Sequence, residues 1–165
     1  MRRRRAFTLT EVMLVVVILA IVAGVVMPRM GDDAAQQLVS AARKLDADIC
    51  RLQALAVARS DLEYELAFKP GDQRWYAAIV GHSGTPLKDP VTGEALVTQL
   101  GPASPMGLTR VRMVSVDMHD CWDRLRVDAL GAPHFDAPGT VVLEAGGRRL
   151  TVAIAPVTGE VSMTW

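Results

Sequence analysis

Val12 to Met27 form a run of sixteen residues that are all apolar or glycine, and Arg2 to Arg5 stand just ahead of it. No other feature constrains the chain as much. Seven Val, two Leu and two Ile favour transfer into lipid by about 3 to 7 kcal/mol, so the segment is built to enter a bilayer. Glu11 opposes this at the head of the run. A central acidic residue costs roughly 2.5 to 3.5 kcal/mol on the insertion scale, and less near a helix end. A carboxylate there needs a purpose or a partner.

A cleaved secretory signal would use the arginines as its basic region and Ile21-Val22-Ala23 as its cleavage site, but such signals have shorter apolar runs and no acid at their head. A plain anchor, with arginines held on the cytoplasmic side, leaves Glu11 unexplained. The whole string RRRRAFTLTEVMLVVVILAIV resembles the amino-terminal segment of type IV pilins and type II secretion pseudopilins. That resemblance implies a leader cut between Ala6 and Phe7 by a prepilin peptidase, methylation of the new amino terminus at Phe7, and an assembly role for Glu11. Ala6 stands where the family nearly always has Gly. In the family the glutamate is thought to neutralise the terminal amine of a neighbouring subunit. Such charges attract strongly in a low-dielectric bundle, and loss of one partner costs roughly 3 to 5 kcal/mol.

Of the 165 residues, about 135 follow the leader and span, a common size for one domain with a modest core. Loss of residues 1–6 removes four of eighteen basic side chains and none of the eighteen acidic ones. The mature chain then has a surplus of four negative charges, a poor basis for gripping phosphates; nucleic acid is an unlikely partner. Pro28 and Gly31 interrupt helical continuity, and Asp32-Asp33 suits a helix restarting at about Ala34. From there Leu38, Ala42, Leu45, Ile49, Leu52 and Ala56 follow steps of four and three, one helical face. Arg43, Lys44, Asp46, Asp48 and Arg51 are expected on the opposite side.

Beyond Ser60 short alternating runs are separated by Gly and Pro, which predicts antiparallel strands. The expected strands are 64–68, 75–80, 95–100, 110–116, 124–127, 140–144, 150–155 and 161–165, joined by loops such as KPGDQR and GAPHFDAPG. The fold class is α+β: a long amino-terminal helix, with a transmembrane half and an amphipathic half, packed on an antiparallel β-sheet or β-sandwich-like C-terminal domain. The expected divisions are 1–6 prepilin leader, 7–30 transmembrane helix, 31–60 amphipathic helix and 61–165 β-rich periplasmic domain. The segments LQALAVARSDLEYELAF, WYAAIVG and HFDAPGTVVLEAGGRRLTVAIAPVTGEVSMTW resemble the minor pseudopilin H of type II secretion and its FimT-like relatives in type IV pili. Ala58-Arg59-Ser60 and Gly159-Glu160-Val161 match segments those proteins share.

Other chemistry is sparse. LKDPVTGEAL shares Asp89-Pro90 and a displaced Gly93 with the calcium-site turn of the major pseudopilin; Asp89 and Glu94 are hard oxygen ligands, but an Asp-capped β-turn already explains the stretch. GHSGT around Ser83 lacks the closing glycine of a nucleophile elbow. In His119-Asp120-Cys121 adjacent strand residues face opposite ways, and His82, His119 and His134 lack metal-ligand spacing. No cofactor and no metal are expected, and the chain is not expected to be an enzyme. Cys50 and Cys121 are the only cysteines. A bridge between them would close about 70 residues, worth up to roughly 4 kcal/mol; alternatively both are buried free thiols, since Cys50 lies close to the apolar helix face.

The resemblance implies a minor pseudopilin in the inner membrane, single-pass with its C-terminal domain in the periplasm, assembled at or near the tip of the type II secretion pseudopilus. Its partners would be other pseudopilins or pilins, the prepilin peptidase and the membrane. The alternatives are a FimT-like minor pilin of pilus assembly or DNA uptake, and a signal-anchored periplasmic enzyme using Ser83.

Overall fold

A computed structural model of the chain describes residues 9–26, 33–119 and 123–165, with side chains given for all of these except 22–26. The chain divides into two units, one ending at Asp33 and one starting at Ala34.

In the first unit, helix α1 covers Leu9–Val26. Its long alternation of β-branched and unbranched apolar residues gives no polar face. Pro28, Gly31 and Asp32, where the sequence predicts a break, lie outside the described residues. Among the described residues no helix is long and apolar enough to cross a membrane.

The second unit is built on α2, Asp33–Ala58. Asp33 in its first turn complements the helix dipole. One face is buried, made of Leu38, Ala41, Ala42, Leu45, Ile49, Leu52 and Ala56. This is the predicted stripe with Ala41 added, and an alanine beside the stripe lets a strand approach closely.

Eight strands follow: β1 (Tyr64–Lys69), β2 (Arg74–Ile79), β3 (Val97–Gln99), β4 (Arg112–Asp117), β5 (Arg124–Val127), β6 (Gly139–Ala145), β7 (Arg148–Ile154) and β8 (Val161–Thr164). Each of the eight expected runs is a strand, with ends moved by a residue or two. They form two four-stranded sheets, ordered β3-β2-β1-β5 and β4-β6-β7-β8, and every pairing is antiparallel. The fold is therefore α+β, as expected. Alternation sets the core. Tyr64, Leu66, Phe68, Trp75, Ala77 and Leu125 from the first sheet meet Met113, Val141, Leu143, Leu150, Val152 and Ile154 from the second and the buried stripe of α2 in one cluster.

Strand β1 is buried on both faces. Its far side holds a small second cluster of Ala67, Tyr76 and Ala78, where Tyr76 Oη donates to the Ser83 carbonyl at 2.6 Å. The loop after β2 thus folds back over the sheet, which closes a face that simple alternation would leave to solvent.

Candidate functional site

Helix α1 is the segment whose sequence and structure agree in having no use for water. Its large apolar side chains from Leu9 to Ile21 are 48% to 79% exposed, and they lie all round the axis rather than on one side. An all-apolar helix surface needs apolar surroundings. Glu11 sits in the first turn, where the partial positive charge of the helix end favours a carboxylate. The predicted cleavage and methylation residues, Ala6 and Phe7, lie outside the described residues.

The head shows why several other sequence candidates serve structure. Asp89 Oδ1 accepts from the Val91 N–H at 2.8 Å and Oδ2 accepts from the Arg51 guanidinium. The Val91 amide first, and then Arg51, hold this carboxyl down from its ordinary 3.8 to about 2. Both oxygens are thereby engaged in a turn-and-clasp that fixes the 89–95 loop to α2. Among the described residues no group of three or more metal-ligating side chains is placed to hold an ion.

Ser83 Oγ accepts from Arg124 Nη1 at 2.8 Å, and no histidine or carboxylate joins it among the described residues. A serine held by a guanidinium lacks the base that would activate it. His119 has φ 51; its N–H donates to Asp117 Oδ1 at 3.0 Å and its Nε2 lies 3.2 Å from the Pro138 carbonyl. Asp120 and Cys121 lie outside the described residues. Cys50 is exposed on α2, one position beyond the buried Ile49, so its thiol is not buried as the apolar-face alternative requires.

Asp48 is misplaced by helical periodicity alone. It is expected in solvent, yet its Oδ2 accepts from Trp75 Nε1 and from Thr98 Oγ1, each at 2.8 Å, and Lys44 pairs with Oδ1. A carboxylate flanking the apolar stripe can reach the sheet, and the signal in sequence is a Trp whose N–H must find an acceptor. Glu65 is missed altogether. It faces outward from β1 and is fully buried, with Arg124 at 3.5 Å and Arg126 at 3.7 Å.

Gln53 of α2 ties down the segment that carries Gly159. Its Nε2 donates to the carbonyls of Gly131 and Thr158 at 2.8 and 2.9 Å. Gly159 packs against it in a left-handed conformation, φ 72, where an added Cβ would lie 2.7 Å from Gln53 Nε2. Only glycine suits both demands. The closing turn is thus locked to α2, one turn before its Ala58 end.

Residues 1–27 match the family model described as the prokaryotic N-terminal methylation motif. No curated protein matches the chain. Among solved structures, the fold is similar to that of the minor pseudopilin EpsH from the type 2 secretion system of Vibrio cholerae. The two share 12% sequence identity over 78% of this chain and 96% of that one, with a TM-score of 0.54. The chain thus combines a match to a prokaryotic N-terminal methylation motif with a fold similar to that of a minor pseudopilin.

Proposed function

We propose that this protein is a minor pseudopilin, a structural subunit that α1 anchors in the inner membrane and inserts into a helical bundle with other pilin-like subunits. The observation that carries this reading is α1 itself, apolar on every side and bare of covering side chains, with one carboxylate in its first turn. Lipid suits such a helix before assembly and neighbouring helices suit it afterwards. The apolar sequence continues past Ile21 to Met27, which supplies length for a single span. The EpsH-like head supports a place in a type II secretion pseudopilus, at or near the tip, with the head as contact surface in the periplasm.

On this reading Glu11 pairs with the terminal amine of a neighbouring subunit. Glu11→Ala should leave membrane insertion intact, because removing the charge eases transfer by up to about 3 kcal/mol. Incorporation should fail, measured as the fraction co-purifying with partner subunits. Glu11→Gln should fail as well, since a neutral amide cannot balance an ammonium in a low-dielectric bundle. Mass spectrometry of the membrane-extracted protein should find a methylated chain starting at Phe7. A start at Gly24, or normal incorporation of both variants, sinks the proposal.

A further inference from the structure

Three large apolar side chains stand in solvent at the end of the head where α2 finishes: Val57, Leu130 and Val157 are 60%, 85% and 70% exposed. Single exposed apolar residues are ordinary on a protein surface. These three are brought together by Gln53. Val57 follows it by one turn of α2. Leu130 precedes Gly131, whose carbonyl Gln53 holds and whose added Cβ would lie 3.2 Å from Val57 Cγ2. Val157 precedes Thr158, whose carbonyl the same amide holds.

Both loops are fixed from within. Asp128 Oδ1 accepts from the N–H groups of Leu130 and Ala132 at 2.9 and 2.8 Å, and the Gly131 N–H donates to the Asp128 carbonyl at 3.0 Å. Val157 is held against its own preference. Its φ is 73, in a region that β-branched residues rarely enter. The Thr158 N–H donates to the Pro156 carbonyl at 2.9 Å, closing a three-residue turn around Val157, and the positive-φ form of that turn is strained. Gly or Asn would sit there with less strain, and a valine so exposed gives the core little in return. Strain of this kind collects at functional sites.

The charges nearby select the partner. Asp61 lies four residues after Val57, Asp128 two before Leu130 and Glu160 three after Val157. Glu63 and Asp128 also line a hollow of about 190 Å³ with Arg126, Val127 and His134. The basic side chains beside these four acids are Arg59 and Arg126, and Arg126 is already drawn to the buried Glu65 at 3.7 Å. A second copy of the chain would set the acids against themselves, which disfavours self-pairing. We propose that Val57, Leu130 and Val157 form a preorganised docking surface for an apolar segment of another protein that carries a lysine or arginine, its cation entering the hollow between Glu63 and Asp128. Turns fixed before the encounter lower the ordering cost of binding. The inference rests on the reading of the head as a contact surface, and it names the place and the chemistry of that contact.

The test uses the full chain, isotope-labelled in detergent micelles, and the peptide acetyl-Lys-Val-Leu-Val-Lys-amide. The peptide should shift the backbone amide signals of residues 57, 129–132 and 157–160, with half-saturation at or below about 1 mM. The counterpart acetyl-Glu-Val-Leu-Val-Glu-amide should leave them in place. Leu130→Ser and Val157→Asn should each weaken binding about tenfold. Val157→Asn should do so while keeping or raising the urea midpoint, because it relieves the strained turn; a merely structural residue would not separate affinity from stability in this way. Glu63→Gln combined with Glu160→Gln should weaken the lysine peptide and flatten its dependence on salt. The proposal is overturned if the lysine peptide moves none of these signals, if the glutamate peptide binds as well, or if both surface variants bind like the native chain. Signals that shift with protein concentration alone would make the occupant a second copy and overturn it too. A chain found to start at Gly24, or normal incorporation of the Glu11 variants, sinks the anchoring reading and leaves peptide binding unaffected, so the two readings fail separately.

Discussion

The side-chain amide of Gln73 and the backbone of Met113 exchange two hydrogen bonds: the Met113 N–H donates to Gln73 Oε1 at 2.7 Å, and Gln73 Nε2 donates to the Met113 carbonyl at 3.0 Å. Gln73 lies in the turn between β1 and β2 with φ 52, and Met113 stands at the bulge of β4. A side chain therefore acts as one residue of a strand and ties the first sheet to the second. The left-handed backbone at Gln73 is strain that this tie makes tolerable.

Gln73→Ala should lower stability by about 2 kcal/mol, because it strands a donor and an acceptor that are partly shielded from water. Gln73→Glu keeps the acceptor for the Met113 N–H and loses the donor, so it should fall between the alanine variant and the native chain. Urea unfolding midpoints measure both. Midpoints equal to the native value would mean that the two sheets are joined by the core alone.

Asp48 makes a second tie, from α2 to the first sheet. Asp48→Ala leaves the Trp75 N–H without its acceptor, and the Trp75 ring is 1% exposed. The expected loss is about 2 to 3 kcal/mol. Asp48→Asn keeps an oxygen for Trp75 and Thr98 and gives up the ion pair with Lys44, a part-exposed pair worth under about 1 kcal/mol. Equal losses in the two variants would show that charge, not the acceptor, matters here.

Asp89 predicts a response to acid. Its folded pKa of about 2 lies below the ordinary 3.8, so its contribution is fully present above about pH 4 and is lost as pH falls through about 2. Glu144 is also lowered, by Arg149 first and then Arg112, and adds to the same acid limb. Comparing the native chain with Asp89→Asn isolates one carboxylate. The variant should show a shallower fall in unfolding midpoint between pH 4 and pH 2, with the difference vanishing at the acid end. Parallel curves across that range would mean that the clasp with Arg51 and Val91 does not form in solution.

The sequence was most readable where one period governs many residues. Leu38 to Ala56 announces its buried stripe, and Val141, Leu143 and Leu150 to Ile154 announce theirs, because burial repeats every third or fourth residue in a helix and every second in a strand. Glu11 was legible for a different reason: a charge in an apolar run stands out against its neighbours. Asp48, Gln53 and Gln73 were not, since each bonds to residues distant in sequence and nothing local marks the partner. Cys50 shows how coarse a helical stripe is, being one position from Ile49 and yet exposed. Glu65 was hidden because the cover over β1 comes from a loop whose path no periodicity describes.

Glu65 gives the sharpest test of how that cover works. Its carboxylate is fully buried and neither oxygen has a hydrogen bond; it has only the two guanidiniums, at 3.5 and 3.7 Å. Burying an ion costs several kcal/mol, and attraction without hydrogen bonds rarely offsets it. Arg124 and Arg126 are 32% and 44% exposed, so each can turn to water if the carboxylate is removed. Glu65→Met, similar in length and without charge, should therefore be neutral or stabilising by about 1 kcal/mol. Replacing the arginines leaves the carboxylate buried alone. Arg124→Met with Arg126→Met should cost about 3 kcal/mol or more, and adding Glu65→Met should restore most of that loss. Thermal or urea unfolding of the three variants decides it. If Glu65→Met itself loses several kcal/mol, the ion pairs stabilise the sheet outright. If the double arginine variant is harmless, the loop over β1 opens readily enough to let water reach the carboxylate.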